Sequence, residues 1–419
     1  MKNEINHLTV LPGPACNLAC SYCYLRDSIP EKTDPEAVLH GISAFIRYIR
    51  ERNRNSADYG KITFLGGEPL LHGRNLKKWI IAARSLSPEM PLRVFTNGTL
   101  LDNDWFVFFR HENVSITVSL DGSKENNDRF RHFRNTSYKH AAECCSVEPH
   151  KHDCRCPVQF SRYQDSKSVY DSVLAAVPVA ERGNISVCAV VRPENAYYLK
   201  ENILHIAALG FASAGWAPDM SCFWPDSSIE TLSASAVQLK DYYIFEIKHG
   251  RVPFVIANMY ETLSAAEGGI ESCGCGSITL DASGDFYPCD KLMALPAEER
   301  INYKLTGLMQ KGNNEIRTAS GEDRCRTGSE YGGDVLNYGL EICRQKFFES
   351  LARRGGKFHC NACLAGTLAR LDGLNMPAEE KQRIFKSQEK LSAVVRSSLC
   401  SMAEEGLKLP LFRMVHGYE

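Results

Sequence analysis

The chain has 419 residues, with 49 Lys and Arg against 50 Asp and Glu, for a formal net charge of −1. That balance excludes broad capture of nucleic acid or an anionic membrane through charge alone. The opening "MKNEINHLTV" has no apolar core of a secretion signal, and no later run approaches the roughly 18 uninterrupted apolar residues of a spanning helix, so the reading is a cytoplasmic protein.

In chain order, "NHLTVLP" predicts a first strand. It leads into "CNLACSYCYL", where Cys16, Cys20 and Cys23 stand with three and two residues between them and Tyr22 precedes the third. Further strands follow in "KITFL", "LRVFTN", "VSITVSL", "ISVCAVV" and "GFASAGWAP". Between them "DPEAVLHGISAFIRYIRE", "GRNLKKWIIAARSL", "DNDWFVFFRHE", "KSVYDSVLAAVPVAERG" and "AYYLKENILHIAALG" carry apolar residues near helical period. The alternation predicts an α/β fold: a full or partial (β/α)6 TIM-like barrel with helices outside and an active face built from the loops after the strands.

The pattern changes after about residue 250. Met259 to Asp290 is rich in Gly and Cys, and "ITLDASGDFYPC" reads as a hairpin turning at Ser283-Gly284-Asp285. Segment 296–335 reads as loops or a lid, and amphipathic helices are expected at about 336–354 and 377–404. The resulting division is a barrel over 1–225, a connecting helix over 226–258, a cysteine-rich auxiliary domain over 259–370 and a helical segment over 371–419.

The 17 cysteines, an odd number without a secretion signal, fit metal ligation better than a disulfide framework. Three thiolates leave one corner of a four-iron cluster without a protein ligand, whereas structural zinc takes four. A zinc site completed by a distant residue is the alternative reading of Cys16, Cys20 and Cys23. With its aromatic before the last cysteine, this CxxxCxxC loop resembles the signature of the radical S-adenosylmethionine superfamily. The resemblance covers about the first 220 residues. It implies a cluster whose open iron chelates S-adenosylmethionine, and one-electron cleavage of that cosubstrate to a 5'-deoxyadenosyl radical that abstracts hydrogen.

Four further segments match the family's order of motifs. "FLGGEPLL" resembles its GGEP element, with Gly66 and Gly67 for close approach, Pro69 ending the motif, and Glu68 implied to accept a hydrogen bond from the methionine ammonium. Asn97 in "FTNGTLL" would line the pocket; an Asn-Gly turn is its other reading. "VSLDGS" places Ser119 and Asp121 where a ribose or carboxylate could bind. "NNDRFRHFRN" resembles an HDRxR segment, with Asp128 and Arg131 matching and Asn127 in place of the histidine. Arg131 would pair with the methionine carboxylate, its rival reading being a solvated loop charge. Backbone near Val190 and Val191 would meet adenine.

Cys273, Gly284 and Cys289 match the CX9-15GX4C start of the family's auxiliary-cluster domains, and "HCNAC" adds Cys360 and Cys363. These four thiolates imply a second four-iron cluster, fully ligated, in the shorter twitch form and not the longer SPASM form, whose CX5CX3C continuation is missing. A zinc ribbon is the alternative, and Cys325 and Cys343 could serve a further cluster. The insertion "ECCSVEPHKHDCRC" holds Cys144, Cys145, Cys154, Cys156, His150 and His152 at spacings that match no zinc motif. Cys188 and Cys222 read as core or channel residues.

The resemblance implies a peptide- or protein-modifying maturase, of sulfatases or of ribosomally made peptides, fed by an electron donor such as flavodoxin or ferredoxin. The start of the chain close to the first strand weighs against a leader-guided peptide. Oxidation of a small aminocyclitol alcohol is the second enzymatic reading, and a non-catalytic iron–sulfur electron carrier the third. No residue stands out as a general base.

Overall fold

Alternation along each strand decides which face meets the helices. In β1 (His7–Val10), Leu8 and Val10 are fully buried in the core, while His7 and Thr9 take the opposite face. A computed structural model describes residues 5–25, 32–52, 60–134, 167–220, 222–252, 254–256, 277–295, 297–301, 304–305, 315–316, 325–326 and 377–416.

The chain continues through α1 (Pro35–Arg52), β2 (Lys61–Phe64), α2 (Arg74–Leu86), β3 (Leu92–Thr96), α3 (Asn103–His111), β4 (Val114–Ser119) and α4 (Lys124–Phe130). Then come α5 (Val169–Ala176), β5 (Ile185–Val191), α6 (Leu199–Ala208), β6 (Ser213–Pro218) and α7 (Asp226–Lys248). Local chemistry sets the helix starts: the carboxylate of Asp102 caps α3 by accepting from Trp105 N, and Trp105, Phe106 and Phe109 then bury one face. Each expected strand of the first 250 residues is present within a few residues of its predicted bounds, and so is each expected helix except the one over 167–183, which breaks at Val177-Pro178 into Val169–Ala176 and Val179–Arg182.

Short β7 (Val255–Ile256), β8 (Ser277–Leu280) and β9 (Phe286–Tyr287) complete a nine-stranded sheet of order β7-β6-β5-β4-β3-β2-β1-β8-β9. Every pairing is parallel except β8 with β9. The hairpin expected in the auxiliary region is therefore built into the barrel sheet: Leu8 pairs with Ile278 and Val10 with Leu280. Without it β1 would be an exposed edge. The turn at Gly284, with φ of 84°, packs against Ala37 of α1.

Because β9 runs back along β8, with Tyr287 opposite Thr279, the chain reaches Cys289 near the N-terminal ends of β8 and β1. The loop of Cys16, Cys20 and Cys23 leaves the C-terminal end of β1. The loop of Cys16, Cys20 and Cys23 and the single residue Cys289 thus lie toward opposite ends of the strands. Between them the concave face carries Thr9, Thr63, Thr117 and Thr279, all buried.

The helix expected near 336–354 lies outside the described residues. Helix α8 (Ala378–Gly406) packs on α7, with Lys240 and Lys248 of α7 paired to Glu405, and α9 (Pro410–His416) follows. Among the described residues no helix is long and apolar enough to cross a membrane.

Burial, helped by the charge of Lys61, pushes His7 from its ordinary 6.5 down to about 3, and its Nε2 lies 2.9 Å from Thr63 Oγ1. The native state therefore holds a neutral His7 while the unfolded chain takes up a proton below about 6.5. Its contribution to stability is complete above that pH and is lost as pH falls toward 3. Urea midpoints should drop from neutral pH to about pH 4.5, and His7→Gln should flatten part of that drop. An identical pH slope in the variant would contradict the assignment.

Candidate functional site

The cysteine loop is held as though it were another strand. Leu18 bridges to Phe133, Ala19 N donates to His132 O (2.8 Å), Ser21 N to Phe130 O (2.9 Å) and Arg134 N to Asn17 O (2.9 Å). Cys16, Cys20 and Cys23 are half-buried against the core. Burial pushes the Cys16 thiol up, and pushes Cys20 to about 12 although the charge of Arg131 works the other way. Among the described residues no three His, Cys, Asp or Glu side chains are grouped as ligands of a single ion.

The glycines of "GGEP" serve this loop. A Cβ on Gly67 would lie 2.1 Å from Ala15 O and 2.5 Å from Pro14 O. Gly67 N donates to Gly13 O (3.1 Å) and Glu68 N to Ala15 O (2.7 Å), so the turn after β2 clamps the chain entering Cys16. Pro69 opens the short 3-10 turn that Glu68 caps. The buried carboxylate of Glu68 accepts from Leu70 N (3.0 Å) and Thr96 Oγ1 (2.8 Å) at Oε1 and from Asn97 N (2.7 Å) at Oε2. Burial raises its pKa and these donors oppose the rise. Oε2 retains room for one further donor.

Asn97 is more than a turn residue. Its Nδ2 donates to Asn17 Oδ1 (2.8 Å) and to Cys16 Sγ (3.8 Å), and Leu18 N also donates to Cys16 Sγ (3.3 Å).

Asp121 is a buried hub. It accepts from Tyr22 Oη (2.6 Å), Arg131 Nε (2.9 Å) and Nη2 (2.9 Å), and Val190 N (2.8 Å). Four donors fill a carboxylate's lone-pair positions, leaving none for a ribose. Arg131 is 5% exposed, which removes the solvated-loop reading. Its guanidinium also lies over the Tyr22 ring, 5.4 Å from the centroid. The N–H of Val190 is spent on Asp121. Ser119, half-buried at the end of β4 and paired with Cys188, stands outside this network.

Asn127, in the histidine's place, is fully buried and accepts from Asp121 N (3.2 Å). Asp128 accepts from Ser168 Oγ (2.5 Å) and Tyr170 N (2.9 Å), tying the start of α5 to α4.

Three groups escaped the sequence reading. Asn17 bridges Asn97 and Thr99. Arg192, at the end of β5, reaches Ser21 Oγ (3.3 Å), stacks 5.2 Å from the Phe130 centroid and pairs with Asp219 (3.3 Å). Asp290 accepts from Tyr24 Oη (3.2 Å) and Lys291 Nζ (2.8 Å), beside Cys289, whose Sγ accepts from Lys291 N (3.4 Å). Burial works against the ionised Asp290, yet Lys291 holds its pKa below the usual range. Only the cysteine in "PCDK" marked this last group. Cys273, Cys360, Cys363, Cys343 and the insertion 143–156 lie outside the described residues, as does the side chain of Cys325.

Gly67→Ala must push residues 14–15 aside, at a cost of about 1–3 kcal/mol by the usual range for overpacking. The reconstituted variant should hold markedly less iron than wild type. Gly183→Ala, with nothing within 4 Å of the added Cβ, should hold as much. Equal iron in both variants would refute the clamp.

Residues 10–146 match the family model described as the Radical SAM superfamily. A cysteine-type anaerobic sulfatase-maturating enzyme of Clostridium novyi is 29% identical over 131 residues, 30% of this chain and 35% of that protein. A serine-type enzyme of Klebsiella aerogenes is 35% identical over 132 residues, 30% of this chain and 32% of that one. These matches thus span about a third of the relatives' lengths. The solved structure of native anSMEcpe with bound AdoMet covers 95% of this chain and 99% of its own at a TM-score of 0.55 and 16% identity, a likeness of fold. Residues 10–146 match a Radical SAM domain, and over about 130 residues the chain is similar to anaerobic sulfatase-maturating enzymes.

Proposed function

We propose that the protein is a radical S-adenosylmethionine enzyme that abstracts hydrogen from a side chain of a peptide or protein, as a maturase. The observation that carries this reading is the clamped loop of Cys16, Cys20 and Cys23 at the C-terminal end of β1, inside a matched Radical SAM domain. The three thiols suit a four-iron cluster better than zinc. They are not grouped around one ion, and N–H groups of Leu18 and Asn97 point at Cys16 Sγ as they would at a charged sulfur. When bound, such a cluster supplies the electron that cleaves S-adenosylmethionine reductively.

The chain's own residues position and enclose. Glu68 Oε2 has capacity for an ammonium donor, and Ser119 offers a hydroxyl at the end of β4. Asp121, Tyr22 and Arg131 fix the loop from behind, and Phe130 and Leu18 seal it against water. The threonine-lined face between the loop of Cys16 and Cys289 suits a polar side chain of a substrate. We assign Cys289, with Cys273, Cys360 and Cys363, to a second four-iron cluster within the auxiliary region 259–370, and a low-potential flavodoxin or ferredoxin as electron donor in the cytoplasm. The names of the homologous sulfatase-maturating enzymes favour a cysteine or serine of a sulfatase-type peptide as the target.

Full-length protein reconstituted anaerobically should bind about eight irons and, with dithionite and S-adenosylmethionine, release 5'-deoxyadenosine. Replacing Cys16, Cys20 and Cys23 by alanine should remove about half the iron and all of that product. A sulfatase-type peptide carrying serine at the target position should lose two hydrogens from that residue by mass. Wild-type protein that loads iron but never yields 5'-deoxyadenosine would sink the reading.

A further inference from the structure

The hydrogen-bonding positions of the Asn97 side chain can be counted, and all four are filled. Nδ2 carries two protons, directed to Asn17 Oδ1 at 2.8 Å and to Cys16 Sγ at 3.8 Å. Oδ1 has two lone pairs, taken by Thr99 N at 3.0 Å and Thr99 Oγ1 at 2.7 Å. Thr99 Oγ1 in turn accepts from Asn17 Nδ2 at 2.9 Å. Flipping the amide would set N–H against N–H at Thr99 and oxygen against both Asn17 Oδ1 and Cys16 Sγ, so the network admits one orientation. The backbone is tied as well, through Asn97 N to Glu68 Oε2 at 2.7 Å. The donor aimed at Cys16 cannot swing away.

A neutral thiol accepts hydrogen bonds weakly, and a rigid carboxamide with every position committed is a large investment for so little return. A thiolate in a cluster is a charged acceptor, and the return is then larger. Reduction of a cluster adds one negative charge and breaks no bond. Each N–H directed at a cluster sulfur therefore favours the reduced form and raises the potential.

We propose that Asn97 is a positioning residue that raises the reduction potential of the cluster held by the loop, acting through Cys16 Sγ, with Asn17 and Thr99 fixing its amide. The proposal rests on the reading that this loop holds a four-iron cluster.

The test is a redox titration of full-length, anaerobically reconstituted protein, followed by the electron paramagnetic resonance signal that changes when S-adenosylmethionine is added. Asn97→Leu removes both donors at similar volume and should shift the midpoint to a more negative potential while iron content is kept. Thr99→Val leaves the donor present but loosened and should shift the midpoint the same way by less. An unshifted or more positive midpoint in Asn97→Leu overturns the proposal. Should that variant fail to load iron, an unshifted Thr99→Val overturns it equally. A wild-type protein with no signal responsive to S-adenosylmethionine would sink the functional reading and this proposal together, whereas a responsive wild type with unshifted variants sinks the proposal alone.

Discussion

The site depends on one buried carboxylate. Asp121 gathers a phenol from the cysteine loop, a guanidinium from the end of α4 and an amide from β5, and so ties together three segments that are far apart in sequence. Taking Asp121 and Arg131 out of water costs several kcal/mol per ion, and the pair is tolerable only because every acceptor position is filled. Nothing in this arrangement is spare: a missing partner would leave a charge stranded in the interior. The return is geometric. Tyr22 sits between Cys20 and Cys23, so fixing its ring and hydroxyl fixes the backbone that carries both thiols.

Strand β1 extends this logic to the rest of the fold. It lies between β2 and β8, so the segment leading to Cys289 enters the same sheet as the loop of Cys16, and the antiparallel return of β9 carries it toward the other end of the strands. Tyr24, one residue after Cys23, donates to Asp290, one residue after Cys289. A tyrosine's length thus links the two cysteine segments across the concave face. Lys291, 4.4 Å over the Tyr24 ring, supplies the compensating charge.

What could be read from the sequence was local. Strand ends, helix caps, the glycines that permit close approach and the cysteine spacing all depend on residues a few positions apart. The barrel and the position of the loop after β1 followed from them. What could not be read was non-local pairing. Nothing in "CNLAC" announces that Asn17 meets Asn97 and Thr99 some eighty residues away, nor in "PCDK" that Asp290 meets Tyr24. The residues singled out by motif have partners inside the protein that the motifs did not announce. The close approach allowed by Gly67 is to the backbone of Pro14 and Ala15, and the lone pairs of Asp121 are filled from inside the protein.

The motifs at the ends of β2, β3 and β4 therefore divide into two ties on the cysteine loop. Gly67, Glu68 and Asn97 grip its start, from Gly13 to Asn17, while Asp121 and Arg131 grip Tyr22 near its end. A loop held at one end could pivot and carry its thiols apart. Held at both, it has only its own short span in which to move, and backbone pairing with residues 130–134 removes most of that freedom. On the proposed reading, a site that leaves one metal position open to a ligand cannot rely on a fourth cysteine for rigidity. The carboxylates and amides packed around these three thiols supply that rigidity from the protein side.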